Sequence, residues 1–362
     1  MSYRIEELNS DDLDRVFDLT VEAGLTSRQM KQSWIATQPW LLEGSKVNTG
    51  MTPPLGHVMF KAEELVGFVG YSQRMFKSDG GISPAIVLSD LVVHPDHRGM
   101  AGIMLCKHLL RFFESAPENW KIVGLHHSRD AAALWHALGS KAVPNTGLTF
   151  TATVSSAKFL SLRLPHLRFL LPIIQALGCM PIVDALLTRA GKPVTAKGPL
   201  RMQPCEASNV LAPGTTDYSE LLSAFQAVQK TGVVRDIAYL KWRYLDHPQR
   251  QFHWYELRSE GRVQAITIAH RGHDGAATLC ELIVGPTDIS ASFEEILNAA
   301  LFACAGDEAA IVRSKVVIPA AIQAFRAMVI MEDEKAYNQF WISPPPASVD
   351  DAVYTFGDNK LL

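Results

Sequence analysis

The sequence predicts a mixed α/β protein made of two similar halves, each with a central mixed sheet flanked by helices. Three observations support this. Residues Val87–Leu105 read as a strand, a tight turn of small residues and an amphipathic helix; strand-like and helical runs alternate through residues 1–154; and the same succession returns over residues 198–347.

In the first half, Tyr3–Leu8 is a strand. Asn9-Ser10-Asp11-Asp12 is a helix-start signal ahead of Leu13, Val16, Phe17 and Leu19 at helical spacing. A second helix is expected over Ser27–Ala36. Gly56–Lys61 and Leu65–Arg74 form a hairpin about Ala62-Glu63-Glu64. A strand at 85–93, a helix at 99–115, a strand at Lys121–His126 and a helix at Asp130–Leu138 follow, and Lys141–Val154 supplies a closing strand pair.

In the second half, Pro199–Met202 is a short strand, and Tyr218–Gln229 and Asp236–Asp246 are helices. Phe252–Arg258 and Arg262–His270 form a hairpin about Ser259-Glu260-Gly261. A strand at Ala276–Val284, a helix at Ser292–Ala303, a strand at Ala309–Lys315, a helix at Pro319–Met328 and a last strand near Tyr337–Ile342 complete the repeat. The expected division is a first domain at 1–154, a helical connector at 155–197, a second domain at 198–347 and a tail at 348–362.

At 362 residues the chain has room for two cores, and 48% hydrophobic with 20% charged residues marks a globular protein. A net charge of −3 without a Lys/Arg-dense cluster argues against nucleic acid as a partner. The five cysteines, Cys106, Cys179, Cys205, Cys280 and Cys304, are widely spaced without a CxxC pair. They read as reduced thiols, so neither a metal nor a disulfide frame is expected. The start Met1-Ser-Tyr-Arg-Ile-Glu-Glu is unlike a secretory signal, so a cytoplasmic protein is expected. Phe169–Leu187 is apolar but interrupted by Pro172, Gln175, Pro181 and Asp184, which rules out stable insertion as a spanning helix. With Lys158, Arg163, His166 and Arg168 nearby, residues 158–187 suit a packed connector or peripheral contact with an anionic lipid surface. The sequence leaves the oligomeric state open.

A helix starting near Gly99 leaves main-chain N–H groups without intrahelical partners, and its dipole favours negative charge there. Small residues at 99, 101 and 102 let a phosphate approach the backbone, and Arg98 adds charge-assisted hydrogen bonds. The same composition also suits an ordinary strand-to-helix turn.

This stretch resembles the cofactor motif of the GNAT superfamily, the acyl-CoA-dependent N-acyltransferases, whose pattern is Gln/Arg-x-x-Gly-x-Gly/Ala after a strand. Arg98 fills the leading position, Gly99 follows it, and Ala101 takes the first small position. Ile103 stands at the second small position, with Gly102 one residue early. The element order of residues 1–154 is similar to the family's as well. The resemblance implies that Gly99, Met100, Ala101, Gly102, Ile103 and Met104 grip the diphosphate of acetyl-CoA or another acyl-CoA. It implies that Leu91, Val92 and Val93 pair with the pantetheine arm, and that the parallel strands beside the site splay apart. The second half lacks the Arg-Gly turn after its fourth strand. Tyr239–Pro248 and Tyr354–Asp358 resemble segments of tandem bacterial members.

Acyl transfer to an amine needs a base for the ammonium proton and a donor for the developing oxyanion. Asp90 lies where the family often carries a carboxylate base, although a structural pairing suits it equally. His126 and His127 end the next parallel strand; adjacent strand residues face opposite sides, so one of them at most looks into the site. The family's tyrosine acid is replaced by Trp135, whose indole donates a hydrogen bond without releasing a proton usefully. His136 is a substitute acid unless the thiolate leaves unaided, and Trp135 is counted with the cofactor contacts. His94 reads as structural, Trp242, Arg243 and Tyr244 as interface or core, and His270 with Arg271 and His273 shows no metal spacing.

The expected activity is N-acyl transfer, acetyl foremost, to a small amine in a cleft between the halves. One alternative is a Fem-like aminoacyl transferase, which the Arg-Gly turn and the lack of a basic patch disfavour. Another is a noncatalytic acyl-CoA-binding sensor or scaffold, which Trp135 favours.

Overall fold

The computed structural model describes residues 2–50, 54–79, 81–115, 120–124, 129–143, 148–155, 157–159, 171–176, 194, 200–212, 214–272, 275–285, 292–315, 319–328, 331–334, 340–343 and 352–353. The chain forms two compact units, each assembled from separate stretches. One comprises Met1–Gly147, Thr231–Gln249 and Ala336–Asp350; the other comprises Leu148–Lys230, Arg250–Lys335 and Asp351–Leu362.

In the first unit, β1 (Tyr3–Glu7), β2 (Gly56–Lys61), β3 (Glu64–Ser78) and β4 (Gly81–Val93) form an antiparallel meander, and β5 (Lys121–Gly124) joins β4 in parallel. The order is β1-β2-β3-β4-β5-β15-β6, where β6 is Lys141–Val143 and β15 is Phe340–Ser343. Helices α1 (Leu13–Glu22), α2 (Lys31–Thr49), α3 (Met100–Glu114) and α4 (Arg129–Ala137) cover the sheet. Strand alternation divides the core. Met59, Val69, Tyr71, Ile86 and Leu88 pack with Leu105, Leu109 and Phe113 of α3 and Trp135 of α4, while Val58, Phe60, Phe68 and Val92 meet Val16 and Leu19 of α1. Each of these buried side chains contributes about 1.5–3 kcal/mol.

Helix α2 runs past the expected end at Ala36, because Pro39 lies on its exposed side and the next turns bury Trp40 and Leu41. A methyl at Gly44 would stand 2.0 Å from the Trp242 ring, so only glycine fits there. Trp40 and Trp242 stack at 4.8 Å, and each indole N–H donates to the other's main-chain carbonyl, at 3.0 and 2.9 Å. Trp242 belongs to a π-helical turn, Lys241–Leu245, after the short helix Ile237–Leu240, where the sequence suggests one continuous helix. The same segment adds β9 (Thr231–Val233) to β3.

The second unit has strand order β14-β7-β13-β12-β11-β10-β8. These strands are β7 (Leu148–Thr153), β8 (Gln203–Cys205), β10 (His253–Ser259), β11 (Arg262–Arg271), β12 (Ala276–Val284), β13 (Ile311–Ser314) and β14 (Met331–Glu334). Its helices include α5 (Thr216–Val228), α6 (Phe293–Ala305) and α7 (Pro319–Ala327). β13 runs parallel to β12, as β5 does to β4.

Three sequence expectations are corrected. The closing pair within 141–154 is divided: β6 stays in the first sheet, whereas β7 lies between β13 and β14 of the second. The strand expected near Tyr337–Ile342 is Phe340–Ser343 and inserts between β5 and β6 of the first sheet. Each sheet therefore borrows a strand, which alternation within a strand does not encode. The short strand expected at Pro199–Met202 is Gln203–Cys205. Most of the expected connector 155–197 lies outside the described residues; of those described, Leu171–Ala176 is helical.

Candidate functional site

β4 carries a bulge. Gly70 opposes Asp90 while Tyr71 opposes Leu88, so Ser89 is an inserted residue. The parallel ladder with β5 runs from Ala85↔Lys121 to Leu88↔Gly124 and stops at the residue before the bulge. The His94 N–H donates to Val66 O at 2.9 Å. Counting back by twos gives the main-chain groups of Val92 and Asp90 to the β3 ladder and turns those of Leu91 and Val93 to the other edge. Among the described residues no strand pairs with that edge, so β4 and β5 form a fork. The Ser89 hydroxyl is buried there and has no hydrogen-bond partner among the described residues.

The Leu91 and Val93 side chains pack toward α3. Asp90 is half-buried and sits on the opposite face, the one shared by Phe68 and Val92 beneath α1.

Helix α3 begins at the same fork. Its first internal bond runs from the Ile103 N–H to Gly99 O at 3.1 Å, which leaves the N–H groups of Met100, Ala101 and Gly102 without intrahelical partners. Gly99 caps the helix at φ 90°, no side chain caps it, and its first turn holds no acidic residue. A Cβ built at Gly99 would meet nothing within 4 Å, so the mouth is open. Arg98, Gly99 and Met100 are exposed, Met104 is half-buried, and Ala101 and Gly102 are buried. Ile103 is 36% exposed. The turn Pro95–His97 before them is held by the His94 ring, which accepts from the Asp96 N–H at 3.3 Å, and by Tyr3 Oη, 3.1 Å from His97 Nδ1.

Trp135 is 1% exposed and belongs to the core between α3 and α4. His136 is exposed, and His126 and His127 lie outside the described residues. Sequence reasoning missed Ser89, because a bulge becomes visible only when the partner strand's register is known. It also missed His57 on β2. The His57 ring lies 4.9 Å from that of His108 and 4.8 Å from that of Phe112, with Nδ1 3.4 Å from Tyr71 Oη. Burial, helped by the neighbouring His108, pushes its pKa down to about 4.

The second unit repeats the fork without the open helix. Ser292 caps α6 in a reciprocal capping box with Glu295, and Glu294 and Glu295 occupy its first turn. Among the described residues no group of three or more His, Cys, Asp or Glu side chains is placed to hold a metal, and no helix is long and apolar enough to cross a membrane.

No protein-family model matches the sequence, and no curated protein sequence does. Solved structures match in fold. A GCN5-related N-acetyltransferase from Kribbella flavida aligns over 94% of this chain and 70% of its own, with TM-score 0.55 and 12% identity. One from Anabaena variabilis aligns over 94% and 72%, with TM-score 0.56 and 11% identity. Saccharomyces cerevisiae N-myristoyltransferase with bound myristoylCoA aligns over 94% and 82%, with TM-score 0.54 and 10% identity. The chain thus has the fold of the GNAT superfamily. Its two mixed sheets, each flanked by helices, are two such folds in tandem.

Proposed function

We propose that the protein is an acyl-CoA-dependent N-acyltransferase whose chemistry belongs to the first unit. The observation that carries this reading is the uncapped start of α3 beside the unpaired edge of β4. A nucleotide diphosphate fits the three free N–H groups of Met100, Ala101 and Gly102, with Arg98 as counter-charge. The pantetheine amides suit the edge presented by Leu91 and Val93, and Ile103 and Met104 help form the surrounding wall; Val92, expected with them, instead bonds into the β3 ladder and packs in the core beneath α1. Acyl-CoA supplies the activated thioester, with acetyl the simplest acyl group.

Asp90 takes the proton of the incoming ammonium on the α1 face, and the Ser89 hydroxyl serves as a hydrogen-bond donor at the fork. His127 or His126 passes the proton on. The acceptor is a small amine. Trp135 supports a second reading, a noncatalytic acyl-CoA sensor, because it puts no ionisable hydroxyl in its part of the site.

Thiol release from acetyl-CoA across an amine panel separates the two readings. Release that depends on one amine class is expected. CoA binding without release under any amine establishes the sensor, and absence of CoA binding contradicts both.

A further inference from the structure

We propose that the second unit binds a neutral polyhydroxylated molecule, a sugar or a cyclitol, in a cavity between α5 and the outer strands β8 and β10. This inference does not require the first unit to bind CoA.

The cavity measures about 520 Å³, within the range of small-molecule sites. Its inner side is Tyr218 of α5 with Glu256 and Arg258, which stand two apart on β10 and so share a face of the sheet. Cys205 of β8 and Ala212 line it as well, and Glu206 and Asn209 are exposed at its rim.

The charges inside already answer one another, and that decides the ligand. Arg258 Nε donates to Glu256 Oε1 at 2.8 Å, Nη2 to Tyr218 Oη at 3.2 Å, and Nη1 to Asp217 Oδ2 at 3.3 Å and Gly261 O at 3.0 Å. Tyr218 Oη in turn donates to Glu256 Oε2 at 2.5 Å. Four of the five guanidinium N–H groups are thus used and one is left, and each Glu256 oxygen has accepted one bond and keeps a lone pair. Burial, with Glu256 nearby, pushes the Tyr218 hydroxyl and the Cys205 thiol up to about 12, so both keep their protons.

An anion would meet three carboxylates, Glu206, Asp217 and Glu256, against the single guanidinium. A cation would have to displace Arg258 from Glu256 or pair with the exposed Glu206, where an ion pair contributes little. Neighbouring hydroxyls fit what is left over: one gives its proton to the Glu256 carboxylate while the next accepts the spare Arg258 N–H, and the Asn209 amide gives and takes further bonds. No existing pair is broken.

D-Glucose, D-galactose, D-mannose and myo-inositol are the probes, with cyclohexanol as the ring that lacks neighbouring hydroxyls. Saturation-transfer NMR at millimolar concentration is expected to show at least one of the four bound, equally to the wild type and to Gly99→Glu, and cyclohexanol unbound. Phosphate and methylammonium at matched ionic strength should leave the signal unchanged. Glu256→Gln should weaken binding at least about tenfold, as expected for loss of a charged hydrogen-bond partner. Ala212→Trp, which fills the cavity and leaves the Arg258 pairs in place, should abolish it. Absence of binding by all four, equal binding of cyclohexanol, displacement by either ion, loss in Gly99→Glu, or unchanged affinity in either cavity variant overturns the proposal. If near-UV circular dichroism shows that Glu256→Gln does not fold, Ala212→Trp decides, and unchanged affinity there overturns it.

Discussion

Helices α3 and α6 follow equivalent strands and begin in opposite ways. α3 starts at a bare glycine with no acidic residue in its first turn, whereas α6 starts at Ser292 with Glu294 and Glu295 against its dipole. The capping box stabilises α6 by about 1 kcal/mol. It also takes up the Glu295 N–H and sets two carboxylates beside the other donors, which disfavours an anion there. α3 lacks that stabilisation and leaves its first-turn donors open. On the proposed function, a few residues at one helix start decide whether this fold offers a phosphate site, with the bulge, at Ser89 in β4 and Cys280 in β12, common to both sheets.

The largest test of this contrast is Gly99→Glu, which places a carboxylate at the open mouth. CoA affinity is expected to fall more than about 100-fold through charge repulsion and blocked donors, with the fold retained. Calorimetry measures it, and unchanged affinity removes the site.

Asp90→Asn should slow acyl transfer about 100-fold, the scale of a lost general base, while CoA affinity stays within about twofold. A full rate across the pH range clears Asp90 of that role.

The faces beneath the two helices differ as well. Below α3 lies neutral His57; at the matching position below α6 stands Tyr255, which accepts a hydrogen bond from Arg271, itself bonded to Cys304 O at 3.1 Å near the end of α6. The folded pKa of His57 is about 4 against an ordinary 6.5, so the unfolded chain binds the proton first. Stability from this residue is complete above about pH 6.5 and falls as the pH drops toward 4, by at most about 1.4 kcal/mol per pH unit. Urea unfolding of wild type and His57→Phe across that window should show a steeper loss of stability toward low pH in the wild type, the difference being the contribution of His57. Parallel slopes contradict the assignment.

The smallest effect belongs to Ser292→Ala. It should cost about 1 kcal/mol in urea unfolding and leave CoA affinity unchanged. A change in CoA affinity would mean that α6 takes part in binding.

Much of the fold was legible in the sequence because periodicity marks elements directly. The apolar residues of 99–115 fall on one helix face, and the hairpins of both halves show strand alternation about a polar turn. What periodicity omits is partnership. Leu148–Thr153 and Phe340–Ser343 read as strands, yet only the ladders reveal that each joins the other sheet. β9, at three residues, is too short to show a period.

The site divides in the same way. Arg98 and Gly99 were legible because a turn announces its small residues. The inserted Ser89 and the matching Cys280 depend on long-range register, and Asp90 acquires its face only from that register. His57 was invisible because its chemistry comes from the helix packed over it.

The most direct test is a crystal structure of the protein with CoA. The diphosphate oxygens are expected within about 2.7–3.2 Å of the main-chain nitrogens of Met100, Ala101 and Gly102. A diphosphate bound at the start of α6, or held by side chains away from both helices, would contradict the account.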